Sequence, residues 1–332
     1  MHSNQLRTVS KHGTTKRIRL HQARLGMFVE ELEGGQRHRQ TAGFMIASPQ
    51  DIERVLRSKV ISIVINTGKG VDVLNTSRPG GLYDPKQFEA ALFARHSQEE
   101  IREAQETIKE TTPLIRELFS EARLSGTVDI RDARAAADQI ISTAQNSSAA
   151  MIGITRLKSK DEYTFLHSLA VSALMVTFGR TLELSEDTIS TLALAGLVHD
   201  IGKVALPRSI LTKTGKLSDE EFAVIKTHPA RGAELLAHFQ DLPPAVFDIC
   251  LHHHERFDGA GYPHGLAGKK IPYVARLAAI CDVYEAMTTI RPYKKAWTQA
   301  QTIDLMLRSP GHFDPTLLGA FVSKMVISGA IA

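Results

Sequence analysis

The second half of this chain places imidazoles and carboxylates inside segments that are otherwise apolar and helical in pattern. His167 interrupts YTFLHSLAVSAL, His199 and Asp200 interrupt GLVHDIGK, and His228 lies in IKTHPARG. His253 and His254 lie in CLHHHERFDGAGYP, and Asp282 interrupts LAAICDVYEAM. A single histidine in such a place is ordinarily a hydrogen-bonded core residue. A single aspartate among Leu, Ala and Ile is costlier, because an unpaired buried carboxylate needs a cation or donors to offset its lost hydration. Separate compensation for each group is a heavy demand, whereas one shared site satisfies all of them together. Neutral imidazole and carboxylate are ligands for first-row divalent metals, and the lack of cysteine ligands argues against a closed structural zinc site.

That demand acts on a chain whose organisation is legible. From about Val128 the sequence runs helix after helix with little strand-type alternation, so the segment 128–332 is expected to be an all-α bundle. Residues 15–74 read differently. RIRLHQARLGMFVEEL and VISIVINTGKGVDVL are strand-like, and SPQDIERVLRS is a helix with Ser48 as N-cap and Pro49 at its first position, giving a small α+β module. Residues 1–14 read as a disordered basic tail, and 75–96, with TSRPGGLYDP, as a linker. A connecting helix is expected over 97–127, opened by a Ser97–Glu100 capping box. Its Ile101, Ile108, Ile115 and Leu118 recur at helical spacing. That face suits a seam between two copies of the chain, a homodimer, and equally a helix packed on its own domain.

Composition narrows the class. With 43 % hydrophobic and 23 % charged residues over 332 positions, the chain is ordinary globular material. No apolar run reaches the roughly 20 residues of a membrane span. The basic N-terminus lacks the apolar core of a secretion signal, so a cytoplasmic location is expected. Cys250 and Cys281 read as buried thiols. The formal charge of +4 suits an anionic ligand but is too dispersed to argue for a nucleic-acid polymer.

The adjacent pairs carry more. Neighbouring residues on a helix point about 100° apart. His253 and His254 are therefore expected to reach different metals of a close pair, with Asp200 beside His199 short enough to bridge two ions. This points to a dinuclear centre with metals roughly 3.5–4 Å apart. His252 lies on another face and reads as structural. Lys203, three residues after Asp200, suits an anionic phosphate at the cluster, although a simple ion pair with Asp200 explains it too.

These motifs identify a resemblance. GLVHDIGK is similar to the His-Asp motif of the HD phosphohydrolase superfamily, and HHERFDGAGYPHGL resembles the Gly-Tyr-Pro motif of its HD-GYP branch. The likeness extends over about residues 130–325, through YTFLHS, IPYVARLAAICDVYEAMTTIRPYKKA and FDP. Residues 15–74 are similar, more weakly, to a module that often precedes such domains. The resemblance implies an HD-type helical bundle in a mainly α protein. It also implies a bacterial, metal-dependent phosphodiesterase that hydrolyses cyclic di-GMP to linear pGpG and, in some members, onward to GMP. The implied metal ligands are His167, His199, Asp200, His228, His253, His254 and Asp282, with Asp200 bridging. Lys203 is implied beside the scissile phosphate. Gly261, Tyr262 and Pro263 form the signature loop, Arg291 and Lys294 match substrate-holding basic residues, and Asp161 matches a guanine-reading acidic residue. Members with three metals carry a glutamate one turn before the first histidine. Tyr163 stands there in this chain, with Glu162 on another face, so two ions are expected. Imidazole and carboxylate donors with open positions suit iron or manganese, and zinc or nickel is not excluded. Two other functions stay open: hydrolysis of another substrate, such as cyclic GMP-AMP or a 5′-nucleotide, and a cyclic di-GMP-responsive scaffold without turnover.

Overall fold

The computed structural model of the protein describes residues 15–34, 39–57, 60–73, 85–157, 163–239, 241–289 and 297–331. The expected basic tail at 1–14 lies outside them. The chain divides into two compact units, Met1–Pro79 and Gly80–Ala332.

The first unit is a four-stranded antiparallel sheet of β1 (Thr15–Arg19), β2 (Phe28–Gly34), β3 (Arg39–Met45) and β4 (Val60–Asn66), in the order β1-β4-β2-β3. The helix α1 (Pro49–Arg57) begins at the proline that marks it in the sequence. Alternation puts Ile63 and Ile65 on one buried face, where Ile18, Val29 and the α1 residues Ile52 and Val55 are also buried. This is the small α+β module expected over 15–74.

The second unit is helical: α2 (Pro85–Arg95), α3 (Gln98–Ser125), α4 (Ile130–Asn146), α5 (Ser148–Thr155), α6 (Tyr163–Thr181), α7 (Glu186–Val198), α8 (Arg208–Leu211), α9 (Asp219–Ile225), α10 (His228–Leu236), α11 (Pro244–His252), α12 (Tyr273–Thr288), α13 (Gln299–Leu307) and α14 (Pro315–Phe321). Part of the segment read as linker is therefore helix α2. Its Pro-Gly-Gly turn chemistry ends before Pro85, and Leu92 at the end of α2 is fully buried. The Ser97–Glu100 capping box of α3 is formed in both directions. The apolar face of α3 is spent within its own chain. Ile101, Ile115 and Leu118 are buried, and α3 packs on α4, α5 and α6. Ile108 is partly buried, and α3 is a helix packed on its own domain.

The centre of the unit is α6, apolar on every side, with Leu169, Ala173, Leu174, Met175, Val176 and Phe178 fully buried. It packs along α7, also apolar all round, and against α12. Burial of this kind fixes the backbone around each polar group these helices carry. Cys250 and Cys281 are free, buried thiols. Among the described residues, no helix is long and apolar enough to cross a membrane.

Candidate metal centre

The polar side chains of these helices meet at one place. His167 projects from α6, Asp282 from α12, and His199 caps the C-terminus of α7, with Asp200 in the turn that follows. His228 is the first residue of α10, set by Pro229 in the first turn. His253 and His254 follow the last residue of α11. Donor atoms of Asp200, His228, His253 and His254 lie within 4.8 Å of one another, as do those of His167, His199 and Asp282.

Asp200 joins the two groups. Its Oδ2 faces His199 Nε2 at 3.4 Å and His167 Nε2 at 3.6 Å, while Oδ1 faces His228 Nε2 at 3.2 Å and His253 Nε2 at 3.7 Å. Asp282 Oδ1 closes the first group, 3.2 Å from His167 Nε2 and 3.9 Å from His199 Nε2. One expectation changes here. His253 and His254 belong to the same group, not to two. The 100° argument requires helix, but α11 ends at His252, and in the turn beyond it the two rings tilt together with centroids 4.1 Å apart.

The donors fit a divalent cation. His199 Nδ1 donates to Gly196 O (2.8 Å), His228 Nδ1 to Ile225 O (2.7 Å), and His253 Nδ1 to Ile249 O and Cys250 O (3.0 Å each). A carbonyl can only accept, so Nδ1 carries the hydrogen and a neutral ring offers its Nε2 lone pair to the cluster. Burial lowers the pKa of His199 to about 4 and lowers that of His228, keeping both rings neutral near pH 7. His199 Nε2 is buried and hydrogen-bonded to nothing. The nitrogens His228 Nε2 and His253 Nε2 face each other at 3.4 Å. In neutral rings that is a contact of two lone pairs, which a shared cation relieves.

Burial also works against the charge of Asp200, yet Lys203 and the surrounding imidazoles hold its carboxyl well below the ordinary range. Asp282 is lowered by His167 against the same opposition. His167 differs from the other rings. Burial disfavours its charge, but Glu285 and Asp282 raise its pKa to about 9. Its Nδ1 donates to Glu285 Oε2 at 2.5 Å, and Glu285 Oε1 accepts from Thr289 Oγ1 at 2.6 Å. A carboxylate behind a metal-ligating imidazole fixes its ring orientation.

Lys203 pairs with Asp200 Oδ2, and its side chain is one-third exposed. In the signature loop, Tyr262 stacks on the His254 ring at 4.8 Å and 28°. Gly261 has no room for a side chain, since a Cβ there would lie 2.3 Å from Arg256 N. Pro263 follows the Tyr262 ring in that loop. His252 stands outside both groups, its Nδ1 on Asp248 O and its ring against His264. Asp161, Glu162, Arg291 and Lys294 lie outside the described residues, as does the side chain of Tyr163, which opens α6 four residues before His167.

Two glutamates escaped the sequence reading. Glu285 lies one turn beyond Asp282 on an apolar helix, the same signal that singled out Asp282. Glu255 is buried and accepts from the backbone N–H groups of His264 (2.7 Å) and Leu266 (3.0 Å), tying down the loop after Pro263. It sits beside three histidines, and nothing in its spacing announces that task.

Comparison with known proteins places the chain among relatives. The family model described as HD domain matches residues 138–317, and a domain of unknown function, DUF3391, matches residues 15–133. A cyclic di-GMP phosphodiesterase of Pseudomonas aeruginosa is 40 % identical over an alignment of 326 residues that covers 94 % of this chain and 77 % of that protein. A 3′3′-cGAMP-specific phosphodiesterase of Vibrio cholerae is 35 % identical over 51 % of this chain and 39 % of its own length. Among solved structures, a protein of Bdellovibrio bacteriovorus described as HDG"Y"P shares the fold, with a TM-score of 0.54 at 17 % identity, covering 95 % of this chain and 100 % of that one. The chain belongs to the HD domain family.

Proposed function

We propose that this protein is a phosphodiesterase that hydrolyses cyclic di-GMP to linear pGpG at two divalent ions bridged by Asp200. The observation that carries the reading is the division of Asp200, one oxygen toward each group of donors. His167, His199 and Asp282 would hold one ion together with Asp200, and His228, His253 and His254 would hold the other with it. The donor chemistry favours iron or manganese. When bound, such a pair acidifies water to supply a nucleophile near neutral pH and neutralises charge on the phosphoryl group.

The protein's own residues do the rest. His167 must give up the proton it shares with Asp282 to act as a ligand, so loading that group displaces a proton. Lys203, once Asp200 is engaged by ions, offers its amine to a phosphoryl oxygen whose charge grows during in-line displacement. The buried face of Tyr262 keeps His254 in place and walls the site. Arg291, Lys294 and Asp161 complete the substrate contacts in this reading.

The similarity to a cyclic di-GMP phosphodiesterase over most of the chain supports this substrate. The cGAMP-specific relative, matched over half of the chain, makes cyclic GMP-AMP the competing substrate. The test is to purify the chain anaerobically, load it with iron or manganese, count ions per chain, and identify the products from each dinucleotide. Two ions and pGpG are expected. No turnover of cyclic di-GMP, or a single ion at full activity, defeats the reading. Lys203→Ala is expected to keep its metal while kcat falls about a hundredfold, the loss typical of one charge-stabilising donor. An unchanged kcat would leave Lys203 as a partner of Asp200 and nothing more.

A further inference from the structure

Two side chains outside the cluster have no evident task in the fold. Phe222, on the short helix α9, exposes 44 % of its surface. Val224 and Ile225 on the same helix are partly covered, so Phe222 is not the residue that anchors α9. Lys226, the C-cap of α9, holds its Nζ 4.8 Å from the centre of the Phe222 ring and 5.9 Å from that of Tyr262. Among the described residues no carboxylate pairs with it. The Phe222 and Tyr262 rings meet edge to face, 6.5 Å apart at 82°. Tyr262 in turn stacks on His254 of the metal centre. An exposed ring and an unpaired cation thus stand one aromatic ring away from a metal ligand.

We propose that Phe222 and Lys226 form the subsite for the half of the cyclic dinucleotide that is not being cut. Phe222 offers its face to a base, and Lys226 neutralises the second phosphodiester. The inference rests on the phosphodiesterase reading and extends it. The ligand has two bases and two phosphates, and among the described residues the metal centre and Lys203 serve only one phosphate, Arg291 and Lys294 lying outside them. The other keeps its full negative charge and needs a cation that no acidic neighbour has already claimed. A base needs a flat apolar surface open to solvent before binding, since stacking gains by removing that surface from water. Lys226 is already held over two rings, so ordering it on a phosphate costs little further freedom. A randomly exposed phenylalanine has no reason to carry such a cation against the signature tyrosine.

Steady-state kinetics of the metal-loaded full chain on cyclic di-GMP test this. Phe222→Ala is expected to raise KM about tenfold, the loss of one base stack. The kcat of that variant should change by less than about threefold, because binding lost equally from ground and transition states appears in KM. Phe222→Tyr should keep the wild-type KM, whereas Phe222→Leu, apolar but without a π face, should not. Lys226→Gln should also raise KM and flatten its dependence on ionic strength. A wild-type KM in Phe222→Ala, or a Leu variant that serves as well as Tyr, overturns the subsite while the diesterase reading stands. A wild-type chain without turnover of this ligand overturns both.

Discussion

Asp200→Ala is expected to abolish hydrolysis of cyclic di-GMP, lowering kcat by at least about a thousandfold, while the far-ultraviolet circular dichroism of the helical unit should stay as in the wild type. The size of the effect follows from position. Asp200 faces both groups of donors, so in the proposed two-ion reading its loss would remove a ligand from each and the carboxylate that links them. Each other ligand serves one group, and its removal leaves the second able to hold an ion. The fold should survive because the core of α6 and α7 is apolar and packs without Asp200. Asp200→Asn sharpens the test by keeping the shape and removing the charge. Metal analysis of both variants should give far less than two ions per chain. Turnover at the wild-type rate in either would remove the bridging carboxylate from the mechanism.

Gly202→Ala should unfold or displace the centre with no change of any ligand. A Cβ at Gly202 would lie 2.0 Å from the carbonyl oxygen of His228 and 2.4 Å from the backbone nitrogen of Gly232. Both are backbone atoms of α10, so the helix bearing His228 must move as a whole. Overpacking of this kind costs about 1–3 kcal/mol, and the movement carries a ligand away from Asp200. A lower midpoint in a urea titration, together with loss of metal, is the expected result. Gly215→Ala is the control, since nothing lies within 4 Å of a Cβ there, and it should match the wild type in both measurements. Equal stability of the two variants would mean that α10 is free to shift, and that the close approach at Gly202 does not position His228.

Much of this site could be read in the chain because burial makes polar residues conspicuous. His167 and Asp282 stand out in helices whose other positions are apolar, and the same contrast picks out His199 and Asp200. Glu285 obeys the same rule, one turn beyond Asp282 on the same apolar helix. Where the backbone leaves regular helix the reading weakened. The expectation for His253 and His254 assumed helical angles beyond the point where α11 stops. Helix α2 went unread because the turn-forming residues before Pro85 dominated the segment.

The sequence by itself determined the kinds of element and the helical unit after a small α+β module, and it marked out polar side chains set into apolar helices. It could do so because periodicity and the cost of burying charge act locally and leave their mark residue by residue. Tertiary structure alone decided which of those side chains stand together, how the two oxygens of Asp200 are divided between the two groups, and that Glu285 stands behind His167. It also brought Phe222 and Lys226 to Tyr262. Those relations join residues up to 118 positions apart, and only the packing of α6, α7, α11 and α12, with α10 on α11 and on the turn after α7, sets the distances between them.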